Sequence, residues 1–206
     1  MLQIGSIILI YVGPEREVQM AKTKINENAF TYPMPMVVVG TLVEDRPNFM
    51  AVGWVARVNF KPPMIGVALR KTHYTNGGIH ATGAFSVNVP SISLIEKVDY
   101  CGIVSGKNTD KSELFTVVRG QITGAPMIDE CSVCMECKVA QVVDLPTNEV
   151  FIGEIVGAYA DADCCIDGKP DIQNIRPFTL SMPDNRYWEV GAAVGKAWDI
   201  GKSLKQ

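Results

Sequence analysis

Apolar and β-branched residues fall in short runs along this chain, each cut off by proline, glycine or charge. The run from Met36 to Val43 is bounded by Pro35 and by Asp45-Arg46-Pro47-Asn48, which predicts a buried strand and then a turn. Phe49 to Val58 predicts a second strand. Pro62-Pro63 interrupts the chain, Met64 to Leu69 predicts a third strand, and Ala84 to Val89, ended by Pro90, a fourth. Cys131 to Val143 and Val150 to Tyr159 predict two long strands, with Asp144 to Glu149 as the hairpin loop. Asp167-Gly168 marks a further turn.

Helical signals are few. Ser93 and Glu96 have the S-x-x-E spacing of a capping box ahead of Val98 to Ile103. Thr75 to Thr82 predicts a short helix, although Gly77-Gly78 costs it ~1 kcal/mol per glycine relative to alanine. The tail from Tyr187 to Leu204 is mixed and punctuated by glycine. The sequence contains no internal repeat and no linker that would split it. The pattern predicts one mainly-β domain with a few short helices, and a closed barrel would remove the edges of so many strands.

Composition narrows the class. The chain has 206 residues, 47% of them hydrophobic and 20% charged, which is ordinary for a globular domain and excludes wholesale disorder. Nineteen basic against 22 acidic residues give a net charge of −3, without the basic excess of a nucleic-acid binder. Met1 to Val12 is apolar, yet shorter than the ~20 residues a spanning helix needs. No basic residue precedes that run, as a signal peptide would require. The expectation is a tail over residues 1–20 and a domain over 21–206, with no membrane association. Six cysteines in a chain able to bury a core fit free thiols in a reducing cytoplasm better than a disulfide framework.

Most motifs that could carry chemistry fail on spacing. Cys131-x-x-Cys134-x-x-Cys137 resembles the start of a zinc or iron–sulfur site. On one strand, however, Cys131 and Cys137 would stand ~20 Å apart, with Cys134 on the opposite face. Core or surface thiols are expected instead. Gly201-Lys202-Ser203 lacks the earlier glycine of a phosphate loop, and neither G-x-G-x-x-G nor G-x-S-x-G occurs. Two histidines, His73 and His80, leave little for histidine-based hydrolysis or a multi-histidine metal site. The cluster Arg70-Lys71-Thr72-His73-Tyr74-Thr75 mixes cations with hydroxyls, the groups a phosphate needs. If Thr75 opens a helix, its free N–H groups would add to an anion site.

These residues and others carry a resemblance. Pro47-Asn48-Phe49-Met50-Ala51-Val52-Gly53-Trp54, Asn59-Phe60-Lys61-Pro62-Pro63, Ala68-Leu69-Arg70 and Tyr74-Thr75 resemble the flavin reductase-like, FMN-binding split-barrel family. Gly83 to Asn88 is similar to its G-x-F-x-V-N strand, and Ser105-Gly106 with Asp110-Lys111 to its S-G-x(3)-D-K loop. Ala125 to Ile128 and Glu136-Cys137 match further stretches, and Tyr187 to Trp198 resembles the tail of the flavoredoxin branch. The resemblance covers roughly Phe30 to Leu204.

It implies a six-stranded Greek-key split β-barrel, usually a homodimer, with FMN near the subunit interface. By the same resemblance Ala51, Val52, Gly53, Trp54, Val55 and Ala56 line the flavin ring. Arg70, Lys71, Tyr74 and Thr75 hold its phosphate, Ser105, Gly106 and Lys111 close over the ribityl or phosphate side, and Asn88 belongs to the cofactor site. No protein acid or base is required for hydride transfer, so no catalytic side chain is assigned. Three readings stay open at this point: a reductase fed by NAD(P)H, a flavoredoxin-like carrier reduced by a redox protein, and a flavin-binding barrel without turnover.

Overall fold

The computed structural model describes residues 22–204, so the apolar segment Met1 to Val12 lies outside the described residues. The chain divides into two units at Thr31/Tyr32. Residues 22–31 carry no helix or strand, and the fold below is that of the second unit.

Its elements follow in chain order: β1 (Met34–Pro35), β2 (Val37–Val43), β3 (Arg46–Val52), β4 (Val55–Asn59), β5 (Met64–Arg70), α1 (Tyr74–Thr82), β6 (Ala84–Val89) and α2 (Ile95–Ile103). Then come β7 (Val117–Arg119), β8 (Pro126–Ile128), β9 (Val133–Asp144), β10 (Asn148–Ala160), β11 (Cys165–Ile166), β12 (Lys169–Pro170), α3 (Ile172–Ile175), β13 (Phe178–Ser181) and β14 (Arg186–Glu189). The main sheet has seven strands in the order β3-β2-β6-β9-β10-β5-β4, antiparallel throughout.

The expected single strand from Phe49 to Val58 breaks at Gly53-Trp54. Its first part pairs with β2 and its second with β5, at opposite edges of the sheet. Counting Arg46 to Asn59 as one bent segment recovers the six strands expected. The hydrogen-bond ladder itself does not close, because β3 and β4 are the two edges. A backbone bond from Ala68 N to Trp54 O, 2.9 Å, ties the bend to β5.

Both faces of the sheet are covered, which explains why the strands read as unbroken apolar runs rather than alternating ones. Val37, Val39, Val67, Phe85, Val87, Cys137 and Phe151 fill one core. Met36, Val38, Phe49, Val98, Ile128, Cys134 and Phe178 fill the other, with α2 packed against β3. Cys134 and Cys137 thus join opposite cores, as strand alternation predicts. Cys131 departs from the prediction. The strand begins only at Val133, and Cys131 sits in the turn before it, its N–H donating to Ile128 O, and shares the core of Cys134.

Burial pushes the Cys134 and Cys137 thiols up to about 12, so both remain protonated. Cys134 Sγ donates to Cys131 O (3.4 Å) and Ile128 O (3.5 Å), bonds that a serine hydroxyl can reproduce. Cys134→Ser is therefore expected to leave flavin content unchanged and to release no iron or zinc, as elemental analysis beside an absorbance spectrum would show. Loss of metal on that change would overturn the packing assignment.

One local expectation needs correction. The helix after Ser93 forms, but Ser93 makes no capping box. It lies in a 3₁₀ turn, Ile92–Leu94, with its hydroxyl 2.6 Å from that of Ser91, and Leu94 takes the N-cap position of α2. Helix α1 forms despite Gly77-Gly78, and Gly78 shows why. A Cβ there would run into Leu42 O and lie 2.7 Å from Thr41 Cγ2 and Val43 Cγ2, so the missing side chain lets α1 sit on β2. The Asp167-Gly168 turn is found as expected, both residues at positive φ between β11 and β12.

Candidate functional site

The bend between β3 and β4 forms one wall of a cleft of about 220 Å³. Met50, Ala51, Val52, Gly53 and Trp54 line it, facing Ala68 and Arg70 at the end of β5. His73 and Asn148 complete the lining. The wall offers small or apolar side chains together with a stretch of backbone that leaves one ladder before joining the next. Trp54 at the bend is half exposed. Val55 and Ala56 continue into β4, where they pair with Val67 and Gly66, and they do not line the cleft.

Beyond Arg70 the chain turns, with His73 N donating to Arg70 O (2.9 Å), and enters α1. His73 holds the N-cap position without a side-chain cap, and no acidic residue occupies the first turn. The positive end of the α1 dipole therefore has no counter-charge from the helix itself, and Glu149 of β10 reaches it only through the Asn76 side chain. Arg70 is exposed and forms no ion pair among the described residues.

A second cleft, of about 170 Å³, lies on the other side of the α1 start and is lined by Asn48, Tyr74, Gly106 and Lys111 among others. Lys111 is 4% exposed, and its Nζ donates to Cys101 O and Val104 O, each 3.2 Å, at the C-terminal end of α2. No carboxylate pairs with it among the described residues. Burial holds its ammonium below the ordinary lysine value, although the neighbouring Cys101 opposes the shift. Gly106 comes so close to Asn48 that a Cβ would overlap Asn48 Oδ1, which holds the 105–110 loop against β3.

The two clefts share one electrostatic field. His73 is held below the ordinary imidazole value first by burial, then by Arg70, then by Lys111. Its Nδ1 is buried without a hydrogen-bond partner. Two cations, an uncapped helix start and an imidazole held below its ordinary value thus lie near one another, with Asp110 lining the second cleft and Glu149 accepting from Asn76 in the first turn of α1 as the nearby carboxylates.

The structure does not bring every predicted residue to this place. Lys71 turns away and pairs with Asp144 at the β9–β10 hairpin. Thr75 is buried, and its hydroxyl accepts from Asn48 Nδ2 at 2.9 Å, so it acts by fixing β3 to α1. Ser105 is exposed, its Oγ accepting from Lys107 N. Asn88 is fully buried: its amide donates to Val38 O and Ser86 Oγ and accepts from Ile128 N, which leaves no atom for a ligand. Met50, Ala68, His73 and Asn148 line the ring-side cleft without having been assigned from sequence. For His73 the signal was its place beside Arg70. Asn148 offered none, since it arrives by pairing with Arg70 from a distant strand.

A wall of small and apolar side chains at a sheet bend thus faces Arg70, with the start of α1 beside it, on a split-barrel fold. Residues 29–168 match the model of the flavin reductase like domain, and the chain belongs to that family. It is similar to the crystal structure of flavoredoxin from Methanosarcina acetivorans, 50% identical with a TM-score of 0.88, over 90% of this chain and 100% of that one. The flavoredoxin of Desulfovibrio vulgaris (Miyazaki F) is 36% identical with a TM-score of 0.81, over 87% and 100% of the two chains. A ferric-chelate reductase (NAD(P)H) from Archaeoglobus fulgidus is 29% identical over 57% of this chain and 72% of its own length.

Proposed function

We propose that this chain is an FMN-binding oxidoreductase that passes electrons from NAD(P)H through bound flavin to an acceptor. The observation that carries the reading is the Met50–Trp54 wall facing Arg70, with His73 at the start of α1 in the same cleft and in the field of both Arg70 and Lys111. That arrangement fits the group: a neutral wall for the ring, and unpaired positive charge for the phosphate. Ala51, Val52, Gly53 and Trp54 would face the isoalloxazine. Arg70, Tyr74, Lys111 and the first N–H groups of α1 would hold the phosphate end.

Bound FMN would supply the hydride and electron transfer. The protein's part is to orient the ring, keep water from its apolar face and neutralise the phosphate. No side chain in the cleft has to act as acid or base. His73, kept neutral by its surroundings, can accept a hydrogen bond without adding charge.

Each cleft is smaller than the ~300–1,000 Å³ of a drug-sized ligand site. Trp54 in the cleft wall and Val58 on β4 are half exposed, and Phe60 just after β4 is largely exposed. Both features support a homodimer in which a second copy completes the site. Among the described residues no helix is long and apolar enough to cross a membrane.

A second reading has its own support in the 50% identity to a flavoredoxin. There the flavin would be reduced by a redox protein, and NAD(P)H would play no part. One experiment separates the two. The absorbance spectrum of the purified protein is recorded, and NADH and then NADPH are added without oxygen. The expected result is a flavin spectrum that bleaches with one of the nucleotides. A spectrum that persists until dithionite is added makes the protein an electron carrier. A colourless protein that takes up no added FMN would overturn both readings.

A further inference from the structure

After β14 the chain runs out as an arm. Every residue from 191 to 204 is exposed, among them Val194 at 96%, Trp198 at 95% and Leu204 at 85%. The root is held, because Gln173 Nε2 donates to Gly191 O at 3.2 Å. The far end is a closed hook. Ile200 N and Asp199 N donate to Lys196 O, Lys202 N donates to Asp199 O, and Lys202 Nζ pairs with Asp199 Oδ1 at 2.8 Å. Gly195 packs on Ile200, where a Cβ would come within 2.7 Å of Ile200 Cδ1.

This hook presents Trp198 outward with φ at +57°, a conformation a bulky residue adopts only when its surroundings impose it. Nothing else in the described chain covers that ring. A preformed loop displaying an uncovered tryptophan has the form of an interface anchor, the residue type most enriched at binding hot spots.

A seat of matching chemistry exists at the arm's own root. A groove of about 700 Å³ runs between Tyr32 and Trp188, with Pro33 and Pro183 in its walls and Asp184 and Glu189 at its edge. Tyr32 and Trp188 are fixed in place: the tyrosine hydroxyl donates to Met182 O, and Trp188 Nε1 donates to Ser181 Oγ at 2.7 Å. Val190 and Gly191, where the arm departs, also line the groove. A two-fold axis near that point would carry each arm across the groove of the other copy, as a self-complementary dimer contact requires. Lys196 on the hook, which forms no ion pair among the described residues, would then approach Asp184 and Glu189, whose pairs with Arg186 and Arg176 are solvent-exposed.

We infer that residues 191–204 are exchanged between two copies of this chain, each arm seating Trp198 in the Tyr32–Trp188 groove of the other. The inference specifies how a dimer is held and does not depend on what the flavin reacts with.

Two single variants, Ala197→Cys and Thr179→Cys, place one thiol beside Trp198 and one in the groove. They are mixed, allowed to exchange subunits and oxidised. The expected product is a covalent dimer on a non-reducing denaturing gel from the mixture, and not from either variant alone. The double variant in one chain must likewise give dimer mass. A monomer-mass bridged product would place the arm in its own groove, and absence of any bridge would leave the groove to another segment; either overturns the proposal. Trp198→Ala is the second test. Sedimentation should show dimerisation weakened roughly thirtyfold, the effect of losing a hot-spot tryptophan, with the melting temperature of the monomer unchanged. Unaltered dimerisation in that variant would also overturn the proposal. Flavin absorbance and its bleaching by nucleotide, measured on the same samples, report separately on the oxidoreductase reading.

Discussion

Replacing Arg70 by alanine is expected to weaken FMN binding on the order of a hundredfold, with little change in the stability of the protein. The guanidinium stands exposed at the end of β5 and packs into neither core. Its backbone keeps its pairing with Asn148 whatever side chain it carries. What the variant loses is a charge-assisted contact to a dianion, and such a contact contributes ~1.5–3 kcal/mol. The loss should vanish for riboflavin, which has the ring and no phosphate. It should also shrink as salt is raised, because Arg70 faces solvent. Arg70→Lys should recover only part of the affinity, since a lysine cannot offer the paired N–H groups of a guanidinium. Lys71→Ala serves as the comparison: that lysine already pairs with Asp144, so its removal should have a much smaller effect. Titration of apoprotein with FMN and riboflavin, followed by flavin fluorescence, measures all of these. Full FMN affinity in Arg70→Ala would remove the phosphate assignment.

The contrast between Arg70 and Lys71 shows where reading from sequence stops. Both cations stand in one cluster of the right chemistry, and nothing local distinguishes them. Asp144 decides between them, and it reaches Lys71 only because the β9–β10 hairpin folds back beside β5. The strands themselves were legible, since proline and turn residues punctuate them and their apolar runs are long. Less legible was the bend at Gly53-Trp54, because a strand that changes partners keeps its apolar character on both sides of the change. Asn88 shows a different limit. It lies in the stretch that resembles the family's strand, but its amide closes a contact between β2, β6 and β8 instead of facing the cleft. Identity of residue type carries position in the fold more reliably than it carries the direction of a side chain.

Glu136 tests the frame that holds the site, and its removal should have the largest effect on folding. The side chain is fully buried on β9, on the face away from Cys137. Burial alone would push its carboxyl up. That is outweighed by donation from Thr123 N, the Tyr159 hydroxyl, the Thr123 hydroxyl and Ile122 N, so it is held below the ordinary value of 4.5. Thr123 N lies 2.6 Å from Oε2 and the Tyr159 hydroxyl 2.7 Å from Oε1. These bonds pin the turn between β7 and β8 to the sheet, and Gly120 leaves room where a Cβ would overlap the carboxylate. In Glu136→Gln one end of the side chain becomes a donor facing donors. About 3 kcal/mol of stability should be lost at pH 7, the upper range for charged hydrogen bonds left unmade. The pH dependence identifies the cause. A carboxylate with a depressed folded pKa contributes its full stability above pH 4.5 and loses it as pH falls through the folded value. Wild type should therefore lose stability in that acid window while the glutamine variant loses less, and the gap between them should narrow. Urea unfolding at pH 7 and below pH 4.5, followed by circular dichroism, provides the comparison. A gap of the same size at both pH values would mean that shape, and not the buried negative charge, is what Glu136 contributes.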